Sequence, residues 1–287
     1  MDTFEKYTKA FEAMAYDTDC MYGVSLLHSF IATEAAGSFD IKATLQKYWG
    51  KLMALIEKFK NFISEKFRIA RDGVRKIINM LKGQRGGDDN GNDNAKESSA
   101  VVDHVTKMNN YIDESDKLCK HAEEIAKKLE ELARAQADKM DDIDGIMSEL
   151  DEMVDDFVKK AGGVQMPSMD SNLDIGMEGI GGFITGRARR LVNTLLTADA
   201  VMRAVEHLTG VFKTVGEACK RRFDGSHQND QKFAARIQKV INTVLGFLSR
   251  IGHGIISLPG RALELIKKAR GNRTTTQPYN GPDPIIG

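Results

Sequence analysis

The residues through which this 287-residue chain would do covalent, metal or acid-base chemistry are six histidines, three cysteines and one crowded run of carboxylates. His28, His104, His121, His207, His227 and His253 are dispersed, with no HExxH or other ligand spacing among them. Cys119 and His121 are close in sequence, but two positions apart on a helix they face different directions. A Cys-His pair would therefore need a partner from elsewhere in the fold. Carboxylates fill DKMDDIDGIMSELDEMVDDF, yet nothing apolar surrounds them that would set one acid's pKa against another's, so the run reads as a solvated or partner-facing acidic surface. GGFITGRARR, Gly181 to Arg190, lacks the Lys and Ser/Thr of a phosphate loop, and no strand precedes it. Arg187, Arg189 and Arg190 still suit an anion at the start of the helix that follows. GQRGGDDNGNDNAKESS places Gly91 and Glu97 as an EF-hand would, but Gly86 stands where the first calcium ligand belongs. The expectation is a protein without catalytic residues, metal or cofactor.

The elements that position these residues are helices. Prolines number five, aromatics are few, and apolar residues recur in steps of three and four over most of the length, which predicts an all-α chain. Phe4, Tyr7, Phe11, Met14, Met21, Leu26, Leu27 and Phe30 mark an N-terminal helical segment, 1–34. A basic amphipathic helix within 35–82 carries the stripe Leu45, Trp49, Leu52, Ile56, Phe59, Ile63, Phe67, Ala70, Val74, Ile77, Leu81. An acidic linker spans 83–100. From 101 to 160 the heptad-like stripe Val101, Val105, Met108, Ile112, Ser115, Leu118, Ala122, Ile125, Leu129, Leu132, Gln136, Met140, Ile143, Met147, Leu150, Val154, Phe157 predicts one long helix, or a hairpin folded at Gly145. Two successive steps of four flank Gln136 and read as a stutter. A Gly-rich hinge, 161–186, leads to a basic C-terminal helical domain, 187–272, in which Pro259 is expected to start a last short helix. The tail 273–287 reads as disordered. The whole predicts an elongated helical bundle.

Formal charge sums to zero but is segregated along the chain. Residues 1–41 carry 2 lysines against 7 acids, 42–87 carry 12 bases against 3 acids, 88–178 carry 10 against 24, and 183–273 carry 17 against 6. Blocks of alternating sign favour acidic segments folded on basic ones, self-association, or an anionic partner for the basic blocks. Three scattered cysteines, Cys20, Cys119 and Cys219, indicate a reducing compartment. The N-terminus lacks the basic and apolar regions of a secretory signal. The most apolar run, Val240 to Ser249, is about half the roughly 20 residues a membrane span needs. The bases Lys47, Lys51, Lys58, Arg71, Arg75, Lys76, Arg187, Arg189, Arg190, Arg221 and Arg222 are the candidate contacts to DNA phosphates or another anionic surface. For a lipid surface, Trp49, Phe59, Phe62 and Phe67 would be the interfacial anchors.

ATEAAGSFDIKATLQKYWGKLMALIEKFKNFISEKF, Ala32 to Phe67, resembles the start of the mature region in internal head proteins of giant phiKZ-like tailed phages. That resemblance implies a propeptide that directs the chain into the prohead. It also implies a protease cut after a glutamate that follows a small residue two positions earlier. Ala32, Glu34 and Ala35 fit the cut, and the Lys-rich helix with its Trp fits the segment beyond it. The same A-x-E pattern ends at Glu12, Glu97, Glu124, Glu206 and Glu264, but only Glu34 and Glu97 fall outside expected helices. The implied protein is a virion component made in the host cytoplasm and packaged inside the capsid. Its partners would be copies of itself, capsid or other head proteins, and DNA without sequence preference. A cytosolic all-α scaffold acting through coiled coils and a membrane-active helical protein are the alternatives.

Overall fold

The computed structural model describes residues 41–83, 99–136, 140–166, 188–227 and 229–271. Among them the chain is all-α, with five helices: α1 Ile41–Gly83, α2 Ser99–Arg134, α3 Met140–Gly162, α4 Ala188–Arg222 and α5 Asp230–Gly271. The N-terminal helical segment, linker residues 84–98, hinge residues 167–186 and the C-terminal tail expected from sequence lie outside the described residues; Ala161 and Gly162, expected in the hinge, close α3, and Ser99, expected in the linker, opens α2.

Each helix buries the stripe its spacing predicts. On α1 every member from Leu45 to Ile77 is buried, and on α4 so are Leu191, Leu195, Ala198, Val201, Val205, Leu208 and Phe212. These stripes merge into one apolar core, which stabilises the fold far more than helix propensity does. The helices form a row, α1 on α4, α4 on α2 and α2 on α3, and α5 packs against all four.

Contacts between named atoms fix the helix directions. Trp49 Nε1 donates to the Phe223 carbonyl at 3.0 Å, and Lys213 pairs with Glu57 at 2.6 Å, so α1 and α4 run antiparallel. The Thr194 hydroxyl donates to Asn109 Oδ1 at 2.7 Å, and the Cys219 thiol points to the Leu129 carbonyl at 3.7 Å, so α4 and α2 run parallel. Lys128 pairs with Glu149, and His121 faces Asp156 at 3.8 Å, so α3 folds back antiparallel on α2. Phe157 meets Phe247 edge to face, 5.6 Å between centroids, and Arg236 pairs with Asp151, so α5 runs parallel to α3.

Two sequence expectations are corrected. The acidic region is a hairpin, but its fold is not at Gly145, which lies exposed inside α3. The helix ends at Arg134, and Gln136 is exposed. The two steps of four at Gln136 therefore mark the point where the apolar stripe changes helix, not a stutter in one helix. Pro259 does not start a new helix either, because α5 continues through it. A proline there removes one backbone hydrogen bond. Its surroundings, Ile255, Ile256, Leu258, Ala262 and Leu263, are all buried and hold the helix on course.

The turn between α4 and α5 is built by carboxylates. Buried Asp230 accepts from the backbone N–H of Gly225 at 3.0 Å and of His227 at 3.1 Å. Asp224 accepts from the Ser226 N–H at 2.9 Å; that residue's hydroxyl and amide, with Lys42 nearby, hold the Asp224 carboxyl below the usual carboxylate range. Gly225 sits at φ 96°, where a Cβ would come within 3.1 Å of the Lys42 Cα. Gly225→Ala therefore combines a left-handed backbone with a clash against α1. Urea unfolding should show a loss of about 1–3 kcal/mol with an unchanged m-value.

Candidate anionic-surface face

The outward side of α1 lies opposite its core stripe. Steps of three and four carry Lys47, Lys51, Ala54, Lys58, Asn61, Glu65, Arg68, Asp72 and Arg75 along one ridge, all exposed. Among the described residues Lys47, Lys51 and Lys58 have no ion-pair partner, whereas Arg75 pairs with Asp72 at 3.6 Å within the ridge. Lys47 to Arg75 spans about 42 Å at about 1.5 Å per residue. Arg68 belongs to this ridge although it stood outside the candidate set. Counting in threes and fours from Lys58, away from the core stripe, arrives at it.

Arg71 is different. Its Nε lies 3.6 Å from Asp199, its guanidinium also pairs with Glu206, and it is only 23% exposed. With Lys213 and Glu57, it joins α1 to α4, so it is withdrawn from the phosphate-contacting set. Removing it would leave the half-buried Glu206 without its cation and Asp199 with only the exposed Arg203, which costs more than losing an exposed ion pair would. Arg222 is withdrawn too: its Nε donates to the Ala135 carbonyl at 3.0 Å and its guanidinium lies 4.8 Å from the Phe223 ring centre.

The remaining candidates are not brought together. Lys76 is exposed on α1 beside the ridge. Arg190 and Arg221 are exposed near opposite ends of α4, about 46 Å apart along the helix. Arg187 lies outside the described residues, as do the side chain of Arg189 and the candidate cleavage residues Ala32, Glu34 and Ala35. The helix expected beyond the cut begins at Ile41, seven positions after Glu34.

Trp49, Phe59 and Phe67 are not lipid anchors. All three are buried, and the Trp49 indole spends its donor on a backbone carbonyl of α4. α5 has the length and composition to cross a membrane from Asp230 to Ile266, but 61% of its apolar window is buried inside the bundle, as in the core helix of a soluble protein. α5 runs on past Arg250 and Pro259, well beyond its most apolar run.

Elsewhere the chemistry-bearing side chains serve packing. Among the described residues no group of three or more His, Cys, Asp or Glu is placed to hold a metal ion. Cys119 and Cys219 are buried free thiols, pushed up to about 12 by burial. A cavity of about 200 Å³ opens where Tyr111, Leu118, Ala161, Val164, Phe247 and Arg250 meet. On its rim the Tyr111 hydroxyl donates to Ile251 O at 3.4 Å and Arg250 stacks on Phe247.

No family model, no characterised protein and no solved structure matches this chain.

Proposed function

We propose that this chain is a non-enzymatic structural protein of a phage head, packaged inside the capsid, with the outward ridge of α1 laid against DNA. The observation that carries the reading is the row of exposed lysines Lys47, Lys51 and Lys58, continued by Arg68 and Arg75, on a helix whose other side is locked into the core. Bases at this spacing contact phosphates along a duplex without reading bases. The resemblance of Ala32 to Phe67 to the mature start of internal head proteins supplies the setting. It also assigns the acidic segment before Ala35 to a propeptide.

Peptide mass spectrometry of assembled particles tests this. The expected result is a mature N-terminus at Ala35 and no peptide from the residues before it. Particles holding only chains that start at Met1 or Asp2 would show that this processing does not occur, and particles lacking the chain would overturn the reading.

A further inference from the structure

The acidic region divides unevenly between its two helices. α2 carries six bases against eight acids, and its outward charges neutralise one another in pairs such as Lys107–Asp103, Lys120–Asp116 and Lys127–Glu123. α3 carries two bases against eight acids. Its outward side presents Asp141, Asp144, Ser148, Glu152 and Asp155 in steps of three and four, all exposed, and then Lys159. Among the described residues these four acids have no ion-pair partner. Asp151 and Glu149, on the flanks, are engaged by Arg236 and Lys128.

This ridge mirrors the first half of the α1 ridge. Lys47 to Asn61 and Asp141 to Asp155 each cover fourteen residue steps, about 21 Å. They also stand at the same level of the bundle. Trp49 is bonded to the Phe223 carbonyl, the adjacent Arg222 to the end of α2 at Ala135, and α3 starts five residues beyond Ala135. α1 is antiparallel to α4, α4 parallel to α2, and α2 antiparallel to α3, so α1 and α3 run in the same direction. They occupy the two ends of the row, with α4 and α2 between them.

We infer that copies of this chain associate side by side in one orientation, the acidic ridge of α3 on one copy against the basic ridge of α1 on the next. A single parallel register sets Asp141 by Lys47, Glu152 by Lys58 and Lys159 by Glu65. Laid antiparallel over the same lysines, with Glu152 by Lys47 and Asp141 by Lys58, Lys159 would fall at position 40, before the start of α1, and its pairing with Glu65 would be lost. The contact joins two different surfaces, so it does not close on itself and generates an open row. The heptad stripe of α2 and α3 is buried inside the molecule and is not used. This mode of self-association differs from a coiled coil between copies. Exposed charge pairs are individually weak and screened by salt, so the row forms at low ionic strength and disperses at high. DNA and a neighbouring copy compete for the same α1 lysines.

Sedimentation velocity of the full chain, free of nucleic acid, tests this independently of the DNA reading. The wild type should sediment well above its 31.8 kDa monomer at about 50 mM salt and as a monomer at about 500 mM. Lys51→Glu with Lys58→Glu, and separately Glu152→Lys with Asp155→Lys, should each be monomeric at low salt with unchanged helical circular dichroism. An equal mixture of the two variants should regain mass above the monomer, because the charge-reversed ridges are complementary to each other. A wild type monomeric at low salt, single variants that still associate, or a mixture that stays monomeric would each overturn the inference.

Discussion

Replacing Lys47, Lys51 and Lys58 together with glutamine should weaken binding to duplex DNA about 100-fold or more at about 0.1 M salt. All three side chains are exposed and none holds the fold, so circular dichroism and the urea midpoint should not change. Each phosphate contact releases condensed counterions and contributes about −0.9 to the slope of log K against log salt. The triple variant should therefore show a slope shallower by about 2.7 as well as a weaker affinity. Arg71→Gln is the contrasting variant. Its partners are Asp199 and Glu206 within the bundle, so it should lower stability and leave the salt slope unchanged. If the triple variant binds as the wild type does, the α1 ridge is not the DNA-facing surface.

Stability should collapse on the alkaline side, between about pH 9 and 11. Burial holds the thiols of Cys119 and Cys219 protonated up to about 12, against an ordinary value of 9.0. Burial likewise raises the Tyr111 phenol from 10.0 to about 12. In this window the folded chain keeps protons that the unfolded chain has released. The stabilisation is complete below pH 9 and is lost as pH rises toward 12. Each group costs about 1.4 kcal/mol per pH unit beyond its unfolded value. At about pH 10.5 the two thiols and the phenol together remove about 5 kcal/mol, comparable to the whole stability of many domains. Urea midpoints measured from pH 7.5 to 10.5 should fall accordingly. Cys119→Ala with Cys219→Ala, though less stable at neutral pH, should show a much flatter decline. A wild-type profile level to pH 10.5 would contradict this burial.

Gly254 shows why the helices meet where they do. A Cβ there would lie 1.9 Å from the Tyr111 hydroxyl, so α2 and α5 approach as they do only because position 254 carries no side chain. The sequence shows Gly254 but not its partner, which lies far back in the chain on α2. The same limit applies to Arg71. Its place among Lys66, Arg75 and Lys76 reads as surface charge, because the acids that claim it lie on α4, up to 135 residues away. The apolar stripes were legible because burial imposes a local period of three to four, and in the five helices the apolar stripe residues whose side chains are described are buried as expected. The turn of the acidic hairpin was legible as an irregularity at Gln136, but not as a turn. A stripe crossing from one helix to its antiparallel neighbour keeps nearly the same spacing as an unbroken one. The order of helices in the row, which separates the acidic and basic ridges, depends on long-range packing that no local pattern carries.

In the proposed function the α1 ridge meets DNA through phosphates alone. Anisotropy titration of a labelled duplex with the full chain, repeated from about 50 to 300 mM salt, measures this most directly. The ridge predicts binding independent of sequence, with log K falling against log salt at a slope between about −2.7 and −4.5, for three lysines and up to two arginines. Absence of binding at about 50 mM salt, or an affinity that does not change with salt, would contradict it.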